Sequence, residues 1–153
     1  MKRVFKNLFF CMLILAGLSA CDVTTSFCYT FNIDNGDKVD VTLDTSDGHK
    51  ISQKDGEFFI KKDDKTLLKG NFMRQSDYEN FRDRALNMEG VTIKEDHSKD
   101  EVPSIRFNAN SDGDKVFFIQ KVKDTNTFIG ISSPLSDDEA VKAFSYLTFQ
   151  KHE

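Results

Sequence analysis

Phe27, Tyr29, Phe31 and Ile33 alternate with Cys28, Thr30 and Asn32, and after Asp34-Asn35-Gly36-Asp37 the alternation resumes as Val39, Val41 and Leu43 against Asp40 and Thr42. A period of two on both sides of residues that tolerate positive φ predicts a β-hairpin with one apolar face. Asp47-Gly48 and Asp55-Gly56 are further turn signals. They bracket a strand over 49–53 and lead into a second over 57–61, and Asp63-Asp64 separates that from a third over 66–73. The pattern then changes period. Ser76-Asp77-Tyr78-Glu79 reads as a capping box, with Tyr78, Phe81, Ala85 and Met88 on one helical stripe and Gly90 as the stop. Strands return over 91–94, 104–107, 115–123 and 127–132. A second capping box, Ser136-Asp137-Asp138-Glu139, opens a helix whose Ala140, Val141, Phe144, Leu147 and Thr148 face one side.

Strands in runs, with helices set between them, predict an α+β fold: a mainly antiparallel β-sheet meander with two amphipathic helices packed on it, in one sandwich-like domain over 27–153. The pairs Phe58-Phe59 and Phe117-Phe118 add a constraint. Neighbours in a strand point to opposite faces, so both faces of those strands are expected to be covered, one by helices and the other by a second layer or a partner.

The first twenty residues belong to a different class of segment. Lys2, Arg3 and Lys6 precede an uninterrupted apolar run from Leu8 to Leu18. As a helix this run spans about 16 Å, roughly half a bilayer's hydrocarbon core, which fits a signal-peptide core and not a spanning helix. It ends Leu18-Ser19-Ala20-Cys21, which resembles the lipobox of bacterial lipoproteins. The resemblance implies diacylglyceryl attachment at Cys21, removal of residues 1–20, and a lipid anchor on the extracytoplasmic face of the bacterial cell membrane. Acyl chains contribute about 0.8 kcal/mol per buried methylene, so two or three anchor the chain firmly. In lipoproteins of double-membraned bacteria an Asp directly after the Cys favours the inner membrane, and Asp22 stands there. Residues 21–26 form a short lipidated tether.

Removing the signal segment also changes the charge. The whole chain has 21 basic and 25 acidic residues; without Lys2, Arg3 and Lys6 the balance is 18 against 25, a net charge of −7. Such a surface repels phosphate backbones, so no nucleic-acid partner is expected. Cys11 leaves with the signal and Cys21 becomes a thioether, leaving Cys28 as the single thiol. No internal disulfide can form, and the fold must rest on its core.

The segment 128–131, followed by the second helix and Phe149, resembles the ending of PsbP-like α/β/α sandwich domains, some of which are bacterial lipoproteins. The resemblance covers about twenty-five residues and implies non-enzymatic binding.

Candidate chemistry is sparse. His49, His97 and His152 lack a helical i,i+4 partner, and no Cys-x-x-Cys, Gly-x-Ser-x-Gly or phosphate-binding Gly loop occurs. Asn108-x-Asn110-x-Asp112-Gly113-Asp114 superficially matches the start of a calcium loop. Its twelfth position is Ile119 where a bidentate Glu belongs, so a hairpin turn explains it better. No catalytic residue, metal or cofactor is expected, and Cys21 is the only assigned site. The resulting expectation is a non-enzymatic accessory module, held to the membrane through Cys21, that acts on a protein or envelope component close by. A small-ligand carrier or sensor would instead need a deep Phe-lined pocket. An envelope enzyme would need separated polar residues such as His49 and His97 to converge.

Overall fold

The structure is a computed structural model that describes residues 25–110 and 112–153. The signal segment, Cys21 and the tether as far as Thr24 lie outside the described residues. In chain order the elements are β1 (Ser26–Asn32), β2 (Lys38–Asp44), β3 (Lys50–Lys54), β4 (Glu57–Lys62), β5 (Lys65–Arg74), α1 (Gln75–Asn87), β6 (Val91–Asp96), β7 (Ser104–Ala109), β8 (Val116–Lys121), β9 (Thr127–Ser133), α2 (Asp137–Phe144) and β10 (Leu147–Lys151).

The α+β class holds, but the strands form two sheets and not one meander. A three-stranded sheet has the order β1-β2-β10, and a seven-stranded sheet has the order β3-β4-β5-β9-β8-β7-β6. All pairings are antiparallel. The separation follows from what β2 pairs with on its second edge. That partner is β10, from the far end of the chain, with Leu147 opposite Leu43 and Phe149 opposite Val41. The β1–β2 hairpin is therefore completed by the C-terminus and is not continued by β3.

The small sheet lies on one face of the large one. Its inward side chains Phe31, Val39, Val41 and Leu43 pack with Phe58, Ile60 and Leu68 of β4 and β5, with Phe118, Ile129 and Ile131 of β8 and β9, and with Ala140 and Ala143 of α2. Val39, Val41, Leu43, Phe58, Ile60 and Leu68 are wholly buried. At about 1.5–3 kcal/mol for each large apolar side chain removed from water, this layer is the main source of stability. A hydrogen-bonded staple fixes its far corner. Asp37 Oδ2 accepts from the Asn126 backbone N–H at 2.8 Å, from Thr127 Oγ1 at 2.8 Å and from Asn35 Nδ2 at 3.1 Å, tying the β1–β2 turn to the start of β9.

The opposite face of the large sheet carries α1. Tyr78 stacks on Phe128 with ring centroids 4.2 Å apart, and Phe81 lies 6.0 Å from Phe107, which in turn stacks on Phe117. Phe117 and Phe118 thus face opposite layers, as their adjacency requires. The second layer expected from sequence is the small sheet.

Both helices differ from expectation at one end. α1 starts at Gln75, one residue before Ser76, and its first turn is closed by the Arg74 N–H donating to Asp77 Oδ2 at 3.4 Å, not by a Ser76–Glu79 box. α2 does use the Ser136–Glu139 box, with the Ser136 N–H donating to Glu139 Oε2 at 3.3 Å. It stops at Phe144, however, and Leu147 and Thr148 belong to β10. Their helical spacing was real, yet pairing with β2 overrides it, as tertiary contacts override weak local preference.

Candidate functional site

An open cleft of about 440 Å³ lies on the α1 face of the large sheet. Its existence follows from the path of α1. The helix leaves β5 at the level where Arg74 pairs with Thr127, at the start of β9. It delivers the chain to Val91, which pairs with Ala109 at the end of β7, and that end of the sheet also holds Val116 opposite Ser133. The helix therefore crosses the sheet obliquely. It covers Phe128 and Phe107 and leaves uncovered the corner where β4, β5, β9 and β8 carry Glu57, Lys69, Asn71, Ser132 and Phe117.

Gly130 lies at the centre of this corner, between Asn71 of β5 and Ile119 of β8. A Cβ there would overlap the end of the Met73 side chain and come 2.8 Å from Asn71 Oδ1. Glycine inside a strand often marks such a close approach. The absent side chain lets Met73 lie across β9 and keeps the floor low.

The walls combine apolar and charged groups. Phe81, 41% exposed, stands on the α1 side. Lys69 Nζ lies 2.9 Å from Glu57 Oε1, and Ser132 Oγ donates to Asp114 Oδ2. Asp77 lines the cleft from α1. Three carboxylates, contributed by β4, α1 and the segment before β8, thus surround an apolar floor with a single ammonium among them. The arrangement can hold a ligand or a protruding side chain by burial on the aromatic rings and by charge at the rim.

The three histidines lie in separate places. His49, 4% exposed, packs against the Tyr146 ring with centroids 4.4 Å apart, and its Nδ1 has no hydrogen-bond partner. Burial holds this imidazole below its ordinary range, and Lys62 adds to the effect; the carboxylates of Asp47 and Asp44 oppose it, and Lys142 acts with Lys62. His97 Nδ1 is 3.1 Å from Asp100 Oδ2 in the β6–β7 loop. His152 Nδ1 is 3.0 Å from both carboxylate oxygens of Asp40, on the outer face of the small sheet, where Thr30 Oγ1 also donates to Asp40 at 2.6 Å. The Thr30 hydroxyl is the main cause of a lowered Asp40 carboxyl, with His152 contributing.

Of the residues weighed as a calcium loop, Asn108 lies in β7, Asn110, Asp112, Gly113 and Asp114 stand between β7 and β8, and Ile119 is buried in β8. Among the described residues no group of three or more His, Cys, Asp or Glu is arranged to hold a metal ion. Cys28 is an exposed thiol on β1. Cys21, the one site assigned from sequence, lies outside the described residues. No helix among the described residues is long and apolar enough to cross a membrane. Comparison with protein families, curated proteins and solved structures finds no match to this chain.

The sequence reading missed the cleft because its lining is gathered from β4, β5, α1, the segment before β8, β8 and β9, which are distant in the chain. The available signal was Gly130, a glycine in the middle of an otherwise apolar strand.

Proposed function

We propose that the chain is an extracytoplasmic bacterial lipoprotein, anchored by acyl chains on Cys21, whose domain is a non-catalytic module that binds a protein or envelope component near the bilayer. The supporting observation is the short distance between Leu18-Ser19-Ala20-Cys21 and the first strand, which begins at Ser26. Four residues, Asp22 to Thr25, separate the two; fully extended they reach about 14 Å. Thr25 is already held by the domain, its carbonyl accepting from the Thr45 N–H at 2.7 Å and from Thr45 Oγ1 at 2.8 Å. A lipid on Cys21 therefore leaves this domain little room to leave the membrane surface, a placement suited to a membrane-bound partner. The α1-face cleft is the binding face in this reading.

A small-ligand carrier is the second reading. The cleft's volume falls within the range of small-molecule sites, but such sites enclose most of their ligand, and this one is open along the sheet.

The test of the anchor is Cys21→Ala. Membrane and soluble fractions of the producing cell are probed for the mature protein. Loss from the membrane fraction, or accumulation of the unprocessed chain, is expected. A normally cleaved product that stays membrane-bound would refute the lipoprotein assignment.

A further inference from the structure

We infer that the domain rests on the bilayer through the start of β1, with the Phe27 ring set into the lipid headgroup layer beside the anchor. The inference rests on the lipoprotein reading of Cys21 and adds which end of the domain faces the membrane.

The large apolar side chains exposed among the described residues are Phe27, Phe81, Leu86, Met88 and Val141, and all but Phe27 lie in the two helices or at the end of α1. Phe27, 49% exposed, stands on the strand that follows the tether. Its place is fixed. It pairs with Leu43 of β2, and two residues earlier the Thr25 carbonyl accepts from the Thr45 N–H. The Phe27 ring lies 5.0 Å from that of half-buried Tyr29, which is 6.2 Å from Phe31, and Phe31 meets the wholly buried Phe58 at 5.8 Å. A row of rings thus runs from the core to the tether end of the domain, where its last member is open.

The length of chain before Thr25 says what covers that member. A diacylglyceryl group on Cys21 holds this residue at the headgroup layer, which is about 5–7 Å thick. Only Asp22 to Thr24 separate Cys21 from the fixed Thr25, and fully extended this link reaches about 14 Å. The acyl region is therefore an apolar phase held permanently within reach of Phe27. Because the leash removes the need for an encounter, a modest gain decides the orientation. Withdrawing the exposed half of a Phe side chain from water favours the docked orientation by about fivefold, or ~1 kcal/mol. Charge contributes little, since no Lys or Arg occurs from Asp22 to Asp37 and Asp44 stands opposite Ser26. The contact fits a zwitterionic lipid surface and does not draw on anionic headgroups.

The chain has no tryptophan, so a single introduced indole reports its own position. The lipidated chain is purified from membranes and its acyl groups on Cys21 are verified by mass spectrometry. Phe27→Trp is then reconstituted in phosphatidylcholine vesicles with or without bromine on the acyl chains. Apolar groups docked at a membrane surface lie about 5–10 Å into the headgroup–acyl boundary, so emission is expected to shift to the blue and to fall about twofold with bromine near the headgroups, and less with bromine near the chain ends. Asn32→Trp, exposed at the other end of β1 about 17 Å away, is expected to be unquenched. Tyr29→Trp, between the two, is expected to be quenched less than Phe27→Trp and more than Asn32→Trp. Thermal melts confirm that each variant is folded, and Tyr29→Trp against Asn32→Trp carries the test if Phe27→Trp does not fold. No quenching of Phe27→Trp, or equal quenching at all three positions, overturns the inference and leaves the anchor standing. Blue-shifted emission without quenching also overturns it, because the ring is then covered by a second copy or by the tether. Absence of acyl groups from Cys21 refutes the lipoprotein reading, and this inference with it.

Discussion

Gly70 on β5 and Gly130 on β9 occupy neighbouring strands, one residue out of step, and therefore point to opposite faces of the large sheet. A Cβ on Gly70 would overlap the Phe58 ring, which is wholly buried beneath the small sheet. A Cβ on Gly130 would meet only the flexible end of Met73 and the Asn71 amide at the floor of the open cleft. On one face, two elements distant in sequence, the small sheet and α2, seal the strands and glycine makes room for a core ring. On the other, a single oblique helix leaves the corner of β4, β5, β9 and β8 open, and glycine keeps the floor of the cleft low there. Packing demand and unused space can thus be separated at two adjacent glycines, although their sequence surroundings, Leu68-Lys69-Gly70-Asn71 and Phe128-Ile129-Gly130-Ile131, both read simply as strand.

The contrast can be broken most forcefully at the sealed face. Gly70→Ala is expected to cost about 3 kcal/mol, because the wholly buried Phe58 ring has no free volume into which to move. Gly130→Ala should cost about 1 kcal/mol or less, since Met73 can change rotamer. Urea unfolding of both variants measures the difference, and equal costs would mean that the α1 face is packed as tightly as the other.

The next effect in size concerns the corner where the small sheet is fastened. Asp37→Ala removes three hydrogen bonds from one carboxylate oxygen and should cost about 2 kcal/mol in the same assay. Asp34→Ala, in the same turn and exposed, should cost about 0.5 kcal/mol or less. Similar losses for the two would remove the staple from the explanation of how the sheets are held together.

A smaller, pH-dependent effect belongs to His49 at the other end of the small sheet. Burial lowers its pKa in the folded state, so between that lowered value and the unfolded value of about 6.5 the unfolded chain binds more protons. Stability contributed by the neutral imidazole is therefore full above about 6.5 and declines as pH falls through this window. Unfolding midpoints measured across that range should fall toward acid in the parent chain and fall less steeply in His49→Leu. Parallel curves would show that the imidazole protonates as readily when folded as when unfolded.

The same contrast explains what could be read without the structure. Strands such as β1, β2 and β4 were legible because alternating side chains and Gly- or Asp-rich turns act within a few residues. The Ser136–Glu139 start of α2 was legible for the same reason. β10 was not, since Leu147 and Thr148 continue the spacing of Ala140 and Phe144, and only pairing with Leu43 and Thr42, more than a hundred residues earlier, makes them a strand. The division into two sheets was hidden by that same long-range pairing. The cleft was hidden more deeply, because it is defined by where α1 fails to cover β4, β5 and β9, and absence of cover has no local sequence pattern.

The assignment of the uncovered face as the binding face is tested most directly by photo-crosslinking in the native membrane. A photoreactive residue is placed at Asn71 in the cleft, or at Thr148 on the outer face of the small sheet, and adducts are compared by mass spectrometry. One discrete adduct from Asn71, absent from Thr148, is the expected result. Adducts from Thr148 with none from Asn71 would contradict it and move the binding face to the other side of the molecule.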